Sequence, residues 1–192
     1  MTENDFNYIW RTNIHFWLVA FMISSRLKSH FIQKKTAELL KKAINNRIAS
    51  NEEIHSVGIL TENDLFNELE LQELVIEKLG LRNPKIYSYR KYDKNEEKSY
   101  KHFSKNDFNW KGDVIEPSLS NFVEQPFDLL ICLYPKKHSY LEYTTLLSEA
   151  RFKVGFAEVN ENLFDLEISV QSNQVDGFLA EAKKYLSILE KL

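Results

Sequence analysis

The chain changes its hydrophobic period repeatedly from residue 56 onward. Short apolar runs, typical of buried strands, are separated by segments with apolar residues at helical spacing. The pattern predicts strands at 56–60, 85–92, 127–135, 152–159 and 164–170, and helices within 61–79, 117–125, 139–151 and 173–192. Strands that alternate with helices predict an α/β fold: a three-layer, Rossmann-like, mostly parallel sheet with helices on both faces.

The segment FDLLICLYP, at 127–135, has an unbroken apolar run from Leu129 to Leu133. A strand covered on both faces lacks polar alternation, so we expect this strand at the centre of the sheet. Cys132 lies within it, which predicts a buried, inert thiol rather than a nucleophile. By contrast, KIYSYRKY at 85–92 is polar enough for a sheet edge.

The region between these two strands, 93–116, has no clear period. It contains the charged segment DKNEEK, followed by aromatic residues mixed with polar turn formers. We expect Phe103, Phe108 and Trp110 to pack this long loop onto the body of the protein.

A basic amphipathic helix is predicted at 24–50, which carries seven cations and one anion although the whole chain has a net charge of −3. Ala37, Leu40, Ile44 and Ile48 share one face and are expected to point inward. The polar side is either a solvated surface or a site that binds an anionic surface, such as an RNA–protein complex, an acidic protein or anionic lipid. The lysines that would make this contact are Lys28, Lys34, Lys35, Lys41 and Lys42.

The first 23 residues contain an apolar segment, IHFWLVAFMI, at 14–23. It is shorter than the roughly 20 residues that span a bilayer and makes a poor signal peptide. Three interpretations remain: an interfacial or docking segment, a disordered extension, or a start-site extension that precedes a true start at Met22. We expect a cytoplasmic protein, with peripheral membrane attachment through 14–48 as the alternative.

Composition narrows the class of protein. With 192 residues, 43% hydrophobic and 28% charged, the chain suits one α/β domain at 51–192 preceded by the helix at 24–50. A single cysteine excludes a disulfide scaffold. Nucleotide, hydrolase and metalloprotease motifs are absent and the five histidines are scattered, so we predict no cofactor and no metal site.

Ligands of open α/β sheets bind beyond the carboxyl ends of the strands. Polar residues follow three of the predicted strands, and we expect them to form one rim. Their alternative role is that of ordinary helix caps and surface charges. The predicted rim residues are Glu62, Asn63, Asp64, Lys136, Lys137, His138, Glu158 and Asn160.

A resemblance covers 127–170. There FDLLICLYP leads into a helix ending LLSEAR, FKVGF follows at once, and a short loop leads to FDLEISV. This order resembles the N-terminal, acceptor-side domain of heptosyltransferase-like glycosyltransferases. The whole chain also resembles a family of small uncharacterised bacterial proteins.

In those transferases a Gly-Asp pair follows the first strand, and its aspartate is the catalytic base. Asp64 falls near that place within TENDL, but the Gly-Asp pair and the second, nucleotide-binding domain have no counterpart in the chain. The resemblance therefore implies a degenerate or partial enzyme that binds a sugar or sugar nucleotide. The sequence as a whole favours a non-catalytic binding or scaffold protein that docks on an anionic partner through its basic helix.

Overall fold

A computed structural model describes residues 26–45, 52–62, 67–95, 99–171 and 174–192. The strands are β1 (Val57–Glu62), β2 (Lys85–Tyr89), β3 (His102–Phe103), β4 (Leu129–Leu133), β5 (Phe152–Phe156) and β6 (Leu166–Ile168). The helices are α1 (26–45), α2 (Glu68–Leu79), α3 (Pro117–Val123), α4 (Ser139–Leu147) and α5 (Val175–Ile188), with a 3₁₀ turn at Lys105–Asp107.

The six strands form one sheet in the order β3-β2-β1-β4-β5-β6, and every pair is parallel. The predicted α/β, Rossmann-like class is confirmed. The chain first winds outward from β1 to β3 and then crosses back to β4, so the order reverses between β1 and β4. The prediction missed β3, a strand of two residues inside the expected long loop.

Helices cover both faces of the sheet. The crossovers β1-α2-β2 and β4-α4-β5 run in opposite directions, and right-handed crossovers then place α2 and α4 on opposite faces. α2 packs against α5, whereas α3 packs against α4. The predicted three-layer arrangement follows from these two helix pairs.

The apolar run of β4 is buried along its whole length, as predicted: Leu129–Leu133 are all 0% exposed. Burial raises the pKa of the Cys132 thiol to about 12, so the thiol stays protonated. Three buried polar side chains at β4 and α4 contact one another. The hydroxyls of Tyr134 and Thr145 are 2.7 Å apart, and the sulfur of Cys132 is 3.4 Å from Thr145 Oγ1.

α2 has clear caps at both ends. The side chain of Asn67 accepts a hydrogen bond from the Leu69 N–H at 3.0 Å, and Glu68 and Glu70 lie in the first turn. Gly80 ends the helix with a φ of 73°, a left-handed conformation that glycine adopts without strain. Thr61, at the start of the range predicted to contain this helix, lies in β1 instead.

β5 and β6 pair in parallel without a helix between them among the described residues. The connection folds back over β5, and the ring of buried Phe164 lies directly on the backbone of Gly155. Asp165 fixes the return, because its backbone N–H donates to the Lys153 carbonyl and its carboxylate accepts from the Lys153 N–H, both at 2.8 Å.

α1 packs on the body through a face that only partly matches the predicted one. Ile32 is fully buried and lies against Gly112, while Ala37 is exposed and Ile44 is 45% exposed; Ile48 lies outside the described residues. The expected inward face is therefore wrong for Ala37 and Ile44, whereas Leu40 is half-buried against the core as expected. The cause is tertiary: the anchoring contacts come from the loop before α3, and a helical wheel alone cannot anticipate them.

Candidate binding surfaces at the strand ends and on the first helix

Part of the predicted rim lies where the strand order reverses. Glu62 ends β1 and is half-buried, and His138 caps α4 directly beyond the end of β4. Asn160, also half-buried, follows β5. Parallel strands end at the same edge of a sheet, which is why these three residues lie on one side of the molecule.

His138 is held in one orientation. Its Nδ1 accepts a hydrogen bond from the Leu141 N–H at 3.2 Å, and its ring lies 4.2 Å from the Tyr89 ring, centroid to centroid. Burial lowers the pKa of His138, and the negative charge of Glu62 only partly opposes this. Because Nδ1 accepts, the neutral ring carries its proton on Nε2 and offers a donor there.

Glu142 joins two of the rim residues, and the sequence analysis missed it. One carboxylate oxygen accepts from the His138 N–H at 2.9 Å, and the other accepts from the Asn160 amide at 2.8 Å. Glu142 is only 7% exposed, so this carboxylate fixes the geometry of the rim from below. The available signal was its position one helical turn after His138.

Three further rim residues, all described, do not join this cluster. Lys136, Lys137 and Glu158 are exposed, and Glu158 lines a cavity of about 410 Å³ beyond the ends of β5 and β6. Asn63 and Asp64 lie outside the described residues. Within the part of the chain that the structure describes, no three histidine, cysteine or acidic side chains are grouped to hold a metal ion.

A larger groove lies away from the predicted rim. Its cavity volume is about 560 Å³, and it runs beside the amino end of β2, between α2 and α3. β3 pairs only with Ser88 and Tyr89, so the edge of β2 before Ser88 faces this groove. The lining includes Glu68, Tyr100 and Phe122, and none of the predicted rim residues contributes to it.

The five lysines predicted to bind an anionic surface divide into two groups. Lys28 donates to the carbonyls of Lys105 and Phe108, at 2.9 and 2.7 Å, and Lys35 pairs with Asp113 at 2.5 Å. Burial lowers the pKa of Lys28, with the nearby charge of Lys105 adding to the effect. The hydrogen bond to Asp113 instead raises the pKa of Lys35.

These two lysines attach α1 to the body of the protein. The exposed members of the set are Lys34, Lys41 and Lys42. Three of the five lysines predicted to bind an anionic surface are therefore exposed and not engaged in holding α1 to the body.

The loop that receives Lys28 and Lys35 presents an exposed tryptophan. Phe103 and Phe108 are buried as predicted, each 1% exposed, but Trp110 is 53% exposed, so the expectation that it packs inward is wrong. Trp110 lies in a tight turn at 109–113 and meets the Phe31 ring edge-on at 5.6 Å. The amino group of Lys111 lies 5.2 Å above the tryptophan ring.

None of the helices in the described ranges combines the length and the apolar character that a membrane crossing requires. This finding concerns those ranges alone.

Comparison with known proteins places the chain in a family. A family model matches 28–189, which includes most of α1, the whole sheet and the turn that carries Trp110. The chain belongs to DUF6913, a family of unknown function. No curated protein and no solved structure matches the chain, so the glycosyltransferase resemblance receives no support. Membership of DUF6913 agrees with the expectation of an uncharacterised family.

Proposed function

We propose that this DUF6913 protein is a non-catalytic, cytoplasmic binding protein that attaches to an anionic partner through the outward side of α1. The observation that carries the proposal is the division of the lysines. Lys28 and Lys35 fix the helix to the body, and this leaves Lys34, Lys41 and Lys42 projecting from a helix held in place.

Electrostatics supports this assignment. The basic helix belongs to a chain with a net charge of −3, so its cations are segregated from an acidic body. A segregated positive surface attracts and orients an anionic partner, and the attraction weakens as salt increases. Preorganisation also favours binding: α1 is already folded and attached to the body, so little conformational entropy is lost when the partner binds.

The state of the strand-end cluster also argues for binding rather than catalysis. Both carboxylate oxygens of Glu142 are engaged, and Nδ1 of His138 accepts from the α4 backbone. Groups committed to such internal bonds hold a structure together and are poorly placed to shuttle protons.

Heparin chromatography provides the test, with immobilised heparin as a defined polyanion. The full chain should bind at low salt and elute as salt rises. The triple variant Lys34→Glu, Lys41→Glu, Lys42→Glu should elute at clearly lower salt. A matched control with the same change in charge is Lys94→Glu, Lys183→Glu, Lys184→Glu, whose lysines are exposed elsewhere. Equal elution of the two variants would overturn the proposal.

A second function has one observation in its favour. The ring of His138, which carries a donor on Nε2, lies beside the Tyr89 ring where the strand order reverses, the place at which α/β proteins bind ligands. In this alternative the protein binds a sugar or sugar nucleotide, with Asp64 as a base. Calorimetry with a panel of sugar nucleotides tests it: heat that disappears in Asp64→Asn and His138→Gln supports it, and no heat with any member refutes it.

A further inference from the structure

An exposed apolar cluster surrounded by cations lies at the beginning of α1. We call it the Trp110 patch and define it by Leu27, Phe31 and Trp110. Leu27 is 47% and Trp110 53% exposed, and Phe31 is half-buried between them and the body. Leu27 and Phe31 are four positions apart, so they lie on the same side of the helix. Large apolar side chains exposed together usually mark an interaction site.

The turn that carries Trp110 is rigid. The side chain of Asn109 accepts hydrogen bonds from the backbone N–H groups of Lys111 and Asp113, at 2.8 and 3.0 Å. Gly112 has a φ of 82°, which favours glycine, and its carbonyl accepts from the buried Tyr143 hydroxyl at 2.9 Å. Trp110 is therefore presented by a preorganised turn, so little conformational entropy is lost when it is buried in a partner.

The charges around the patch indicate the chemistry of that partner. Arg26, Lys34 and Lys111 are exposed and lie within three positions in sequence of a patch residue, with the Lys111 amino group above the Trp110 ring, and the anion Glu38 follows one turn after Lys34. The nearby Asp113 is paired with Lys35 and so adds no free negative charge. Tryptophan at the level of the headgroups, with lysine and arginine reaching phosphates, is the arrangement that binds the surface of an anionic bilayer.

Chain connectivity points in the same direction. The apolar segment IHFWLVAFMI ends at Ile23, three positions before Arg26. A single weak anchor gives only marginal attachment to a membrane, and a second apolar element in the same chain supplies the additional affinity.

We propose that the Trp110 patch inserts into the headgroup region of an anionic lipid bilayer while the cations beside it contact lipid phosphates. This inference rests on the proposed function, since it names the anionic partner of α1. The apolar component is what distinguishes it from simple charge attraction, because heparin offers no apolar layer to receive Trp110.

Tryptophan fluorescence tests the insertion directly. The chain has three tryptophans, at 10, 17 and 110, so the variant Trp10→Phe, Trp17→Phe retains Trp110 as its single reporter while keeping the N-terminal segment apolar. Its emission should shift to the blue with vesicles of phosphatidylglycerol and remain unchanged with phosphatidylcholine. Iodide in solution should quench the free protein and lose most of this effect on the anionic vesicles.

Flotation with the same vesicles measures the contribution of each group. Trp110→Ala should lower the partition coefficient about tenfold, because roughly half of a large aromatic surface no longer moves from water into the bilayer. Lys111→Gln should weaken it about fivefold, the effect of one cation near an anionic surface. The matched control is Tyr185→Ala on α5, an exposed aromatic residue with Lys184 5.3 Å from its ring, and it should leave flotation unchanged.

The possible outcomes separate this inference from the proposed function. Binding to heparin without binding to vesicles would overturn the lipid assignment, leave the proposed function intact and indicate an acidic protein or nucleic acid. Binding to neither would overturn both. Flotation without any shift of Trp110 would refute the patch and assign attachment to other residues. Trp110→Ala must retain the circular dichroism and melting temperature of the parent, and Trp110→Phe, which keeps an aromatic ring, should recover most of the flotation.

Discussion

The packing of Phe164 on Gly155 yields a sharp prediction about stability. A methyl group built on Gly155 would overlap three atoms of the Phe164 ring, the farthest of which is only 2.5 Å away. Carbon atoms in proteins pack at about 3.5–4.0 Å, so the ring would have to retreat by more than about 1 Å. Phe164 is 2% exposed and has little room to move. Overpacking of this kind costs about 1–3 kcal/mol, and we expect Gly155→Ala to lower the free energy of unfolding by about 3 kcal/mol.

Alanine substitutions at two other glycines provide comparisons for the expected loss of stability. At Gly58 the added methyl would lie 2.8 Å from the Phe127 ring, a milder overlap, so Gly58→Ala should cost about 1–2 kcal/mol. At Gly177, in the first turn of α5, the nearest atom is 3.7 Å away, an ordinary contact. Gly177→Ala should therefore stabilise the protein by about 0.4–1 kcal/mol, because it restricts the unfolded chain without strain.

Urea unfolding followed by circular dichroism measures all three variants. Replacing the ring by a smaller side chain should relieve the strain, so Phe164→Leu and Gly155→Ala together should cost less than the sum of the single changes by at least about 1 kcal/mol. The reasoning fails if Gly155→Ala costs no more than Gly58→Ala, or if the double variant is additive.

Three further predictions concern individual groups. Burial acts to raise the pKa of Asp128, but the backbone N–H groups of His55 and Ser56, at 2.9 and 2.8 Å, outweigh it and the pKa is lowered. This carboxylate therefore stabilises the fold at pH values above its unfolded-state pKa of about 3.9, and the contribution is lost as pH falls through the lower folded-state pKa. The free energy of unfolding of Asp128→Asn should therefore depend less on pH in acid than that of the parent protein. Cys132, whose pKa burial raises to about 12, should react with a thiol reagent only after urea unfolding, and native-state labelling would contradict its burial. Glu190 has a φ of 56° just after α5, so Glu190→Gly should raise the unfolding free energy by up to about 1 kcal/mol; a lower urea midpoint would show that its side chain matters more than the backbone strain.

The fold could be predicted where local pattern and tertiary environment agree. The run Leu129–Leu133 has no polar interruption because both faces of β4 are covered by helices, so burial alone dictated its composition. β3 could not be found in this way. It has only two residues, and it is a strand because Ser88 and Tyr89 pair with it. A two-residue segment has no period to detect.

The candidate surfaces were predictable only in part, for a similar reason. Residues at strand ends can be listed from sequence, but the link between His138 and Asn160 runs through Glu142, whose burial depends on the way in which β5 and α4 meet. Likewise, which lysines of α1 face inward is decided by acceptors on a loop about 80 positions away in sequence. Periodicity along one helix carries no information about those acceptors.

The sheet ends at both margins in very short strands, two residues in β3 and three in β6. A long, flat margin with free backbone groups would template the addition of strands from neighbouring molecules, the first step towards fibrils. Here the outermost strands offer only two and three residues for such pairing. Short outer strands therefore limit edge-to-edge pairing between molecules that are brought close together, for example on the surface of a partner.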